Sequence, residues 1–90
     1  MFVMVSMIDP RLLRAFVTIA DTGSFTTAAE RLHMTQSTIS QQLGRLEEAL
    51  GHDLIDRTAR PARPTATGER LLGYARRLLS LQHEADRKST

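Results

Sequence analysis

The sequence predicts a mainly α domain: three short helices around one core, a short basic hairpin and a long last helix. Three observations carry that reading. Apolar residues recur at helical spacing in four stretches, 12–20, 25–32, 39–50 and 71–79. Only about three residues separate the second stretch from the third. Between the third and the fourth, Pro61 and Pro64 exclude helix from a segment rich in Arg.

Asp9-Pro10 opens the first helix, because Asp is a good N-cap and Pro is tolerated at the first helical position. Leu12, Leu13, Phe16, Val17, Ile19 and Ala20 form its apolar stripe, and Gly23 is placed to end it in a left-handed conformation. Ser24 caps a second helix whose buried stripe is Phe25, Ala28, Ala29 and Leu32. The paired alanines allow another helix to approach closely. The link "HMTQ" is short enough to force a steep crossing, which fits a helix-turn-helix and equally fits a generic helical hairpin. Thr35 is placed to cap the third helix, residues 35–50, and Gly51 to end it.

That third helix has two unlike halves. Ile39, Leu43, Leu46 and Leu50 share one face. The opposite face holds Ser37, Gln41, Gly44, Arg45 and Glu48, with Gln36, Thr38 and Ser40 on the flanks. Ser and Thr weaken a helix interior by competing for its backbone hydrogen bonds, so a leading end built from them calls for a reason.

Leu54 and Ile55 signal a short strand, and the following residues read as a hairpin with Arg at and around its tip; a disordered basic loop is the alternative. Thr65 or Thr67 caps the last helix, residues 67–87. Its stripe is Leu71, Leu72, Ala75, Leu78 and Leu79, fringed by Gln82, while Arg70, Arg76, Arg77 and Glu84 lie off it. Its far half has nothing left in the chain to pack on, which points to a second copy as partner; fraying is the competing reading.

Ninety residues make one small domain. With no Cys, thiolate metal sites and disulfides are excluded, and the three His lie too far apart for a metal motif. The net charge of +2 is unevenly spread: residues 1–50 hold four Arg against five acids, whereas residues 51–90 hold seven Arg and one Lys against five acids. Arg suits phosphate because its planar fork binds two oxygens, although a GC-rich genome also favours its codons. The apolar run at Met1 to Ser6 is too short to span a membrane; residues 1–7 read as an N-terminal extension, with Met7 as an alternative start and a docking strand as the rival idea. Catalysis finds no nucleophile–base pair, no metal cluster and no carboxylate dyad, since the adjacent Glu47 and Glu48 point about 100° apart on a helix.

In this order of elements, "LRAFVTIADTGSFTTAAERLHMTQSTISQQLGRLEEALG" at 13–51, then "LIDR", Arg60 and "PTATG" at 64–68, resemble the N-terminal DNA-binding domain of LysR-type transcriptional regulators. The resemblance covers roughly residues 8–87. It implies a winged helix-turn-helix, that is, a three-helix core plus a short two-stranded β-hairpin wing, with a long C-terminal linker and dimerisation helix. The implied boundaries are 8–66 for the DNA-binding domain, about 25–44 for the helix-turn-helix and 67–87 for the linker helix. An effector-binding domain, with its small-molecule effector, is expected to be absent from this chain; no cofactor is expected within it. The implied partners are double-stranded DNA with an inverted-repeat operator and the chain itself as homodimer, with tetramers at full length. No membrane partner is expected, and the implied location is the bacterial cytoplasm and nucleoid. Three positions depart from the family pattern: Ile55 replaces the usual Phe, Gln41 stands where Arg is common, and Gly44 replaces a long polar residue.

The resemblance gives the polar helix front its reason. In a helix-turn-helix the start of the recognition helix meets base edges in the major groove, where short bifunctional side chains approach closely and Gln can pair with adenine twice. Gln36, Ser37, Ser40 and Gln41 are therefore the expected base readers. Ser24, Thr35, Thr38 and Arg45 are expected on phosphate, and Arg57, Arg60 and Arg63 on phosphate or in a neighbouring minor groove. For each Ser or Thr singly, helix capping or solvation is the plainer role; for Gln41 and Arg45 it is an exposed helix face.

Overall fold

The computed structural model describes residues 9–89, with side-chain surroundings through residue 80. The expected extension over 1–7 and the side chains of Gln82 and Glu84 lie outside the residues so described. Among the described residues, four helices and one two-stranded antiparallel sheet follow in the expected order: α1 (Pro10–Thr22), α2 (Phe25–Arg31), α3 (Gln36–Leu50), β1 (Ile55–Asp56), β2 (Arg63–Pro64) and α4 (Ala66–Ser89).

The helix ends follow the local chemistry of the sequence. Asp9 accepts from the backbone N–H of Arg11, Ser24 from Thr27 and Thr35 from Thr38, each satisfying an N–H that the first turn leaves without a partner. Of the two candidate caps for α4, the structure selects Thr65: its hydroxyl accepts from the Gly68 N–H at 3.0 Å and donates to the Asp53 carbonyl at 2.7 Å. The helix therefore starts at Ala66, one residue before the expected start. Gly23 and Gly51 follow α1 and α3 at φ +69° and +72°.

The turn between α2 and α3 uses the same device without a glycine. His33 sits at φ +56°, its N–H bonds the Glu30 carbonyl, and the Met34 N–H reaches back to Ala29. These two bonds close a Schellman motif, and a left-handed residue there turns the chain sharply enough for α3 to leave α2 at once.

α1 is the hub, touching α2, α3, α4 and β2. The fully buried large side chains are Phe16 and Ile19 from α1, Ile39, Leu43 and Leu46 from α3, and Leu54 just before β1. Ala28 and Ala29 are buried too, so α2 approaches at backbone distance. Two expectations need correction. Phe25 and Leu32 are only partly buried at the core edge, whereas Ala15, left out of the expected stripe of α1, has no exposed surface. Leu71 and Ala75, expected on a dimer seam, are buried in this chain's own core, because the first turns of α4 pack on α1.

The hairpin is stitched to the body at both ends. Ile55 faces Pro64 and Asp56 faces Arg63. Pro64 is tolerated because a two-stranded sheet has only edges. The Ala62 N–H donates to the Gly23 carbonyl at 2.9 Å and the Thr65 N–H to that of Leu54 at 3.0 Å. A Cβ on Gly23 would stand 2.7 Å from Cβ of Pro61, and one on Gly68 would drive into the Leu54 carbonyl.

Gly44 contrasts with Gly68: a Cβ there would meet nothing within 4 Å. Gly68→Ala is expected to cost about 3 kcal/mol, the upper end of over-packing penalties. Gly44→Ala should instead stabilise by up to about 1 kcal/mol through helix propensity. Urea denaturation of the two variants against the parent chain checks both signs.

Candidate nucleic-acid interface

α3 is held by its apolar face, and its first two turns are presented outward. Gln36, Ser37, Thr38 and Gln41 are exposed, Ser40 is half-buried on the flank, and Arg45 is exposed one turn beyond Gln41. Ser37, Gln41 and Arg45, spaced by four, form one row along the helix. The first turn of α3 contains no acid, so the positive end of its dipole stays unneutralised there. The other end differs: Glu47, Glu48 and Asp53 border a shallow recess with Gly44, Gly51 and His52. Along its length α3 thus runs from a polar, anion-favouring start to an acidic finish.

Hydroxyl bonds order the front. Thr35 Oγ1 accepts from the Thr38 N–H at 3.0 Å and lies 2.8 Å from Thr38 Oγ1, to which it donates. Both threonines are engaged in capping. Thr26 on α2 donates to Gln36 Oε1 at 3.3 Å, which leaves the amide N–H groups of Gln36 pointing away.

A recess of about 250 Å³ between the start of α2 and the hairpin brings four of the expected site residues together, Ser24, Gln36, Arg57 and Arg60, beside Phe25, Thr26, Ala59 and Ala62. Arg63 is not among them. It faces Asp56 across the sheet and borders a second groove, shared with Glu47, Asp53, Asp56 and Arg57. Arg57 therefore lies between the two recesses, with Arg60 bordering one and Arg63 the other. Arg60 is exposed. Arg57 does not extend free along the hairpin: Nη1 donates to Ser40 Oγ at 3.2 Å, Nη2 lies 3.5 Å from Glu47 Oε1, and the guanidinium stands 5.1 Å from the centre of the Phe25 ring.

Glu47 is the residue that sequence reasoning missed. Its Oε2 accepts from the N–H of Leu54 at 2.8 Å and of Ile55 at 3.4 Å, which joins α3 to the start of β1. The available signal was its place one residue past Leu46, at the fringe of the apolar stripe and just ahead of a strand. At the hairpin tip, Asp56 accepts from Thr58 Oγ1 at 2.6 Å and from the Thr58 N–H at 2.9 Å. These two bonds, with a smaller contribution from the Arg63 charge, hold the Asp56 carboxyl below its usual value of 3.8.

Three helices, the second and third joined by a tight turn, followed by a two-stranded wing, define a winged helix-turn-helix. Residues 10–69 match the family model described as "Bacterial regulatory helix-turn-helix protein, lysR family", and the chain belongs to that family. It is 42% identical over 79 residues to the HTH-type transcriptional regulator TfdT of Cupriavidus pinatubonensis, covering 88% of this chain and 35% of TfdT. Among solved structures it superposes on BenM_DBD in complex with benA site 1 DNA with a TM-score of 0.85 at 36% identity, covering 91% of this chain and 92% of that one. A complex of CbnR_DBD with DNA gives a TM-score of 0.81, also at 36% identity, covering 91% and 94%. The chain spans between 23% and 55% of the length of the curated relatives it matches. These relatives are transcriptional regulators, in line with the expectation against catalysis. Among the described residues no helix is long and apolar enough to cross a membrane.

Two outcomes follow from these contacts. Glu47→Ala leaves two backbone N–H groups without their acceptor and should cost about 1–3 kcal/mol, read by chemical denaturation. Because the folded Asp56 pKa is depressed, the turn at the wing tip is supported above the ordinary carboxyl value and loses that support as pH falls through the folded one. An NMR titration of the Thr58 amide should show a midpoint below 3.8, and Asp56→Asn should abolish the step.

Proposed function

We propose that this domain binds double-stranded DNA sequence-specifically, as a homodimer, and so regulates bacterial transcription. The observation that carries the reading is the exposed, acid-free front of α3, held rigidly by the buried leucines behind it. The fold's likeness to BenM_DBD and CbnR_DBD, both solved with DNA, supports it. In this reading Gln36, Ser37, Ser40 and Gln41 enter the major groove and read base edges. Arg45, Arg60 and Arg63 bind phosphate, with Arg60 nearest a neighbouring minor groove, and Ser24, Thr35 and Thr38 line the backbone path. The acidic rear of α3 keeps the duplex at the helix's leading end by repulsion.

The functional unit runs over 8–66, and the helix that follows carries dimerisation. With Leu71 and Ala75 in the core and Leu72 and Leu78 partly buried against it, the remaining surface of Leu72, Leu78 and Leu79 is what a second copy would cover. Two-fold symmetry then implies an inverted-repeat operator. A small-molecule effector is assigned to a C-terminal domain of the family type, and the site of action to the bacterial nucleoid.

Selection from random duplexes at two salt concentrations tests the proposal. A symmetric site should emerge, and affinity should fall steeply with salt. Arg60→Ala should weaken every duplex alike and reduce the salt slope by about one. Gln36→Ala or Gln41→Ala should change base preference, by about 1–3 kcal/mol at the affected pair, with the slope retained. Equal affinity for matched and scrambled duplexes would overturn the reading.

A further inference from the structure

We propose that Arg57 is a positioning residue that fixes Ser40 as a hydrogen-bond donor toward DNA, so that α3 selects at this point a base edge carrying an acceptor. The inference rests on α3 being the reading helix. A guanidinium has five donors and no acceptor, so in the Arg57–Ser40 contact the serine oxygen must accept. Ser40 donates to no acceptor among the described residues. A hydroxyl whose oxygen lies against a cation turns its hydrogen outward, and its remaining lone pair is a poor partner for a second donor. The acceptors it can then meet in the major groove are N7 of a purine, O6 of guanine or O4 of thymine; the amino group of cytosine is disfavoured.

The arginine is itself held on three sides. Glu47 Oε1 takes its other terminal nitrogen, the Phe25 ring lies against its face, and Glu47 is fixed by the N–H groups of Leu54 and Ile55. A planar fork meets these partners together; an ammonium does not. Arg57 is exposed like Arg60, but with its charge already facing a carboxylate it is the weaker phosphate anchor of the two.

The test is selection from random duplexes with the whole chain, comparing wild type with Ser40→Ala, Arg57→Lys, their double variant and Arg57→Ala, each also titrated with salt. Ser40→Ala and Arg57→Lys are expected to relax preference at the same base pair by about 3- to 10-fold, the range of a single hydrogen bond. The double variant should relax it no further. Arg57→Ala should keep the wild-type salt slope. Should Arg57→Ala fail to fold, the lysine and serine variants still decide the matter. Wild-type preference in Arg57→Lys would overturn the proposal, as would a slope reduced by about one in Arg57→Ala, which marks a direct phosphate anchor. Uniform weakening on all duplexes in Ser40→Ala would overturn it too, since phosphate would then be the acceptor. Each of those results leaves base reading by Gln36 and Gln41 intact; absence of any preference in the wild type would sink the broader reading instead.

Discussion

The Glu47 carboxylate sets the wing relative to α3. One oxygen accepts the two backbone N–H groups that begin the hairpin, and the other faces Arg57, whose guanidinium continues to Ser40 and to the Phe25 ring. A single side chain thereby links α3, β1 and, through the arginine, α2. Hydrogen bonds to a charged, half-buried group contribute more than neutral ones, because the unpaired alternative leaves a charge short of both water and partners. A hairpin of two residues per strand has too little ladder to be stable by itself. Its order comes from this carboxylate, from Thr65 at the base and from the Gly23 carbonyl near the tip.

The division of α3 follows from the same economy of contacts. Its buried leucines supply the packing that keeps the helix formed, which relieves the leading turns of any need for strong helix formers. Serine, threonine and glutamine can then occupy exposed positions where their hydrogen-bonding groups remain available, at the end where the dipole and the missing acids favour a polyanion. At Thr35 and Thr38 the cap fixes the hydroxyls in place.

Much of this architecture was legible in the sequence. Asp9, Ser24, Thr35, Gly23 and Gly51 announced three helices by their ends, and the four-three-four spacing of Ile39, Leu43, Leu46 and Leu50 gave the orientation of α3. What escaped was non-local. Nothing in the periodicity of the last helix distinguishes Leu71 and Ala75, buried in the core, from Leu72 and Leu78, which are only partly buried against it; the division depends on how the helix packs on α1. The roles of Glu47 and Arg57 needed the wing's position, and two charges ten residues apart in a chain give no hint that they share a partner shell. His33 in a left-handed turn was likewise hidden, since no glycine marks it.

Gly68 has a consequence for how the ends of the molecule communicate. Its missing side chain lets the first turn of the long helix rest directly on the backbone of Leu54, with Thr65 bonded to Asp53 beneath it. No flexible joint intervenes between that helix and the base of the hairpin. Rotation of the long helix about its own axis would therefore be felt at the base of the hairpin and, through Leu71 and Ala75, in the core at the same time.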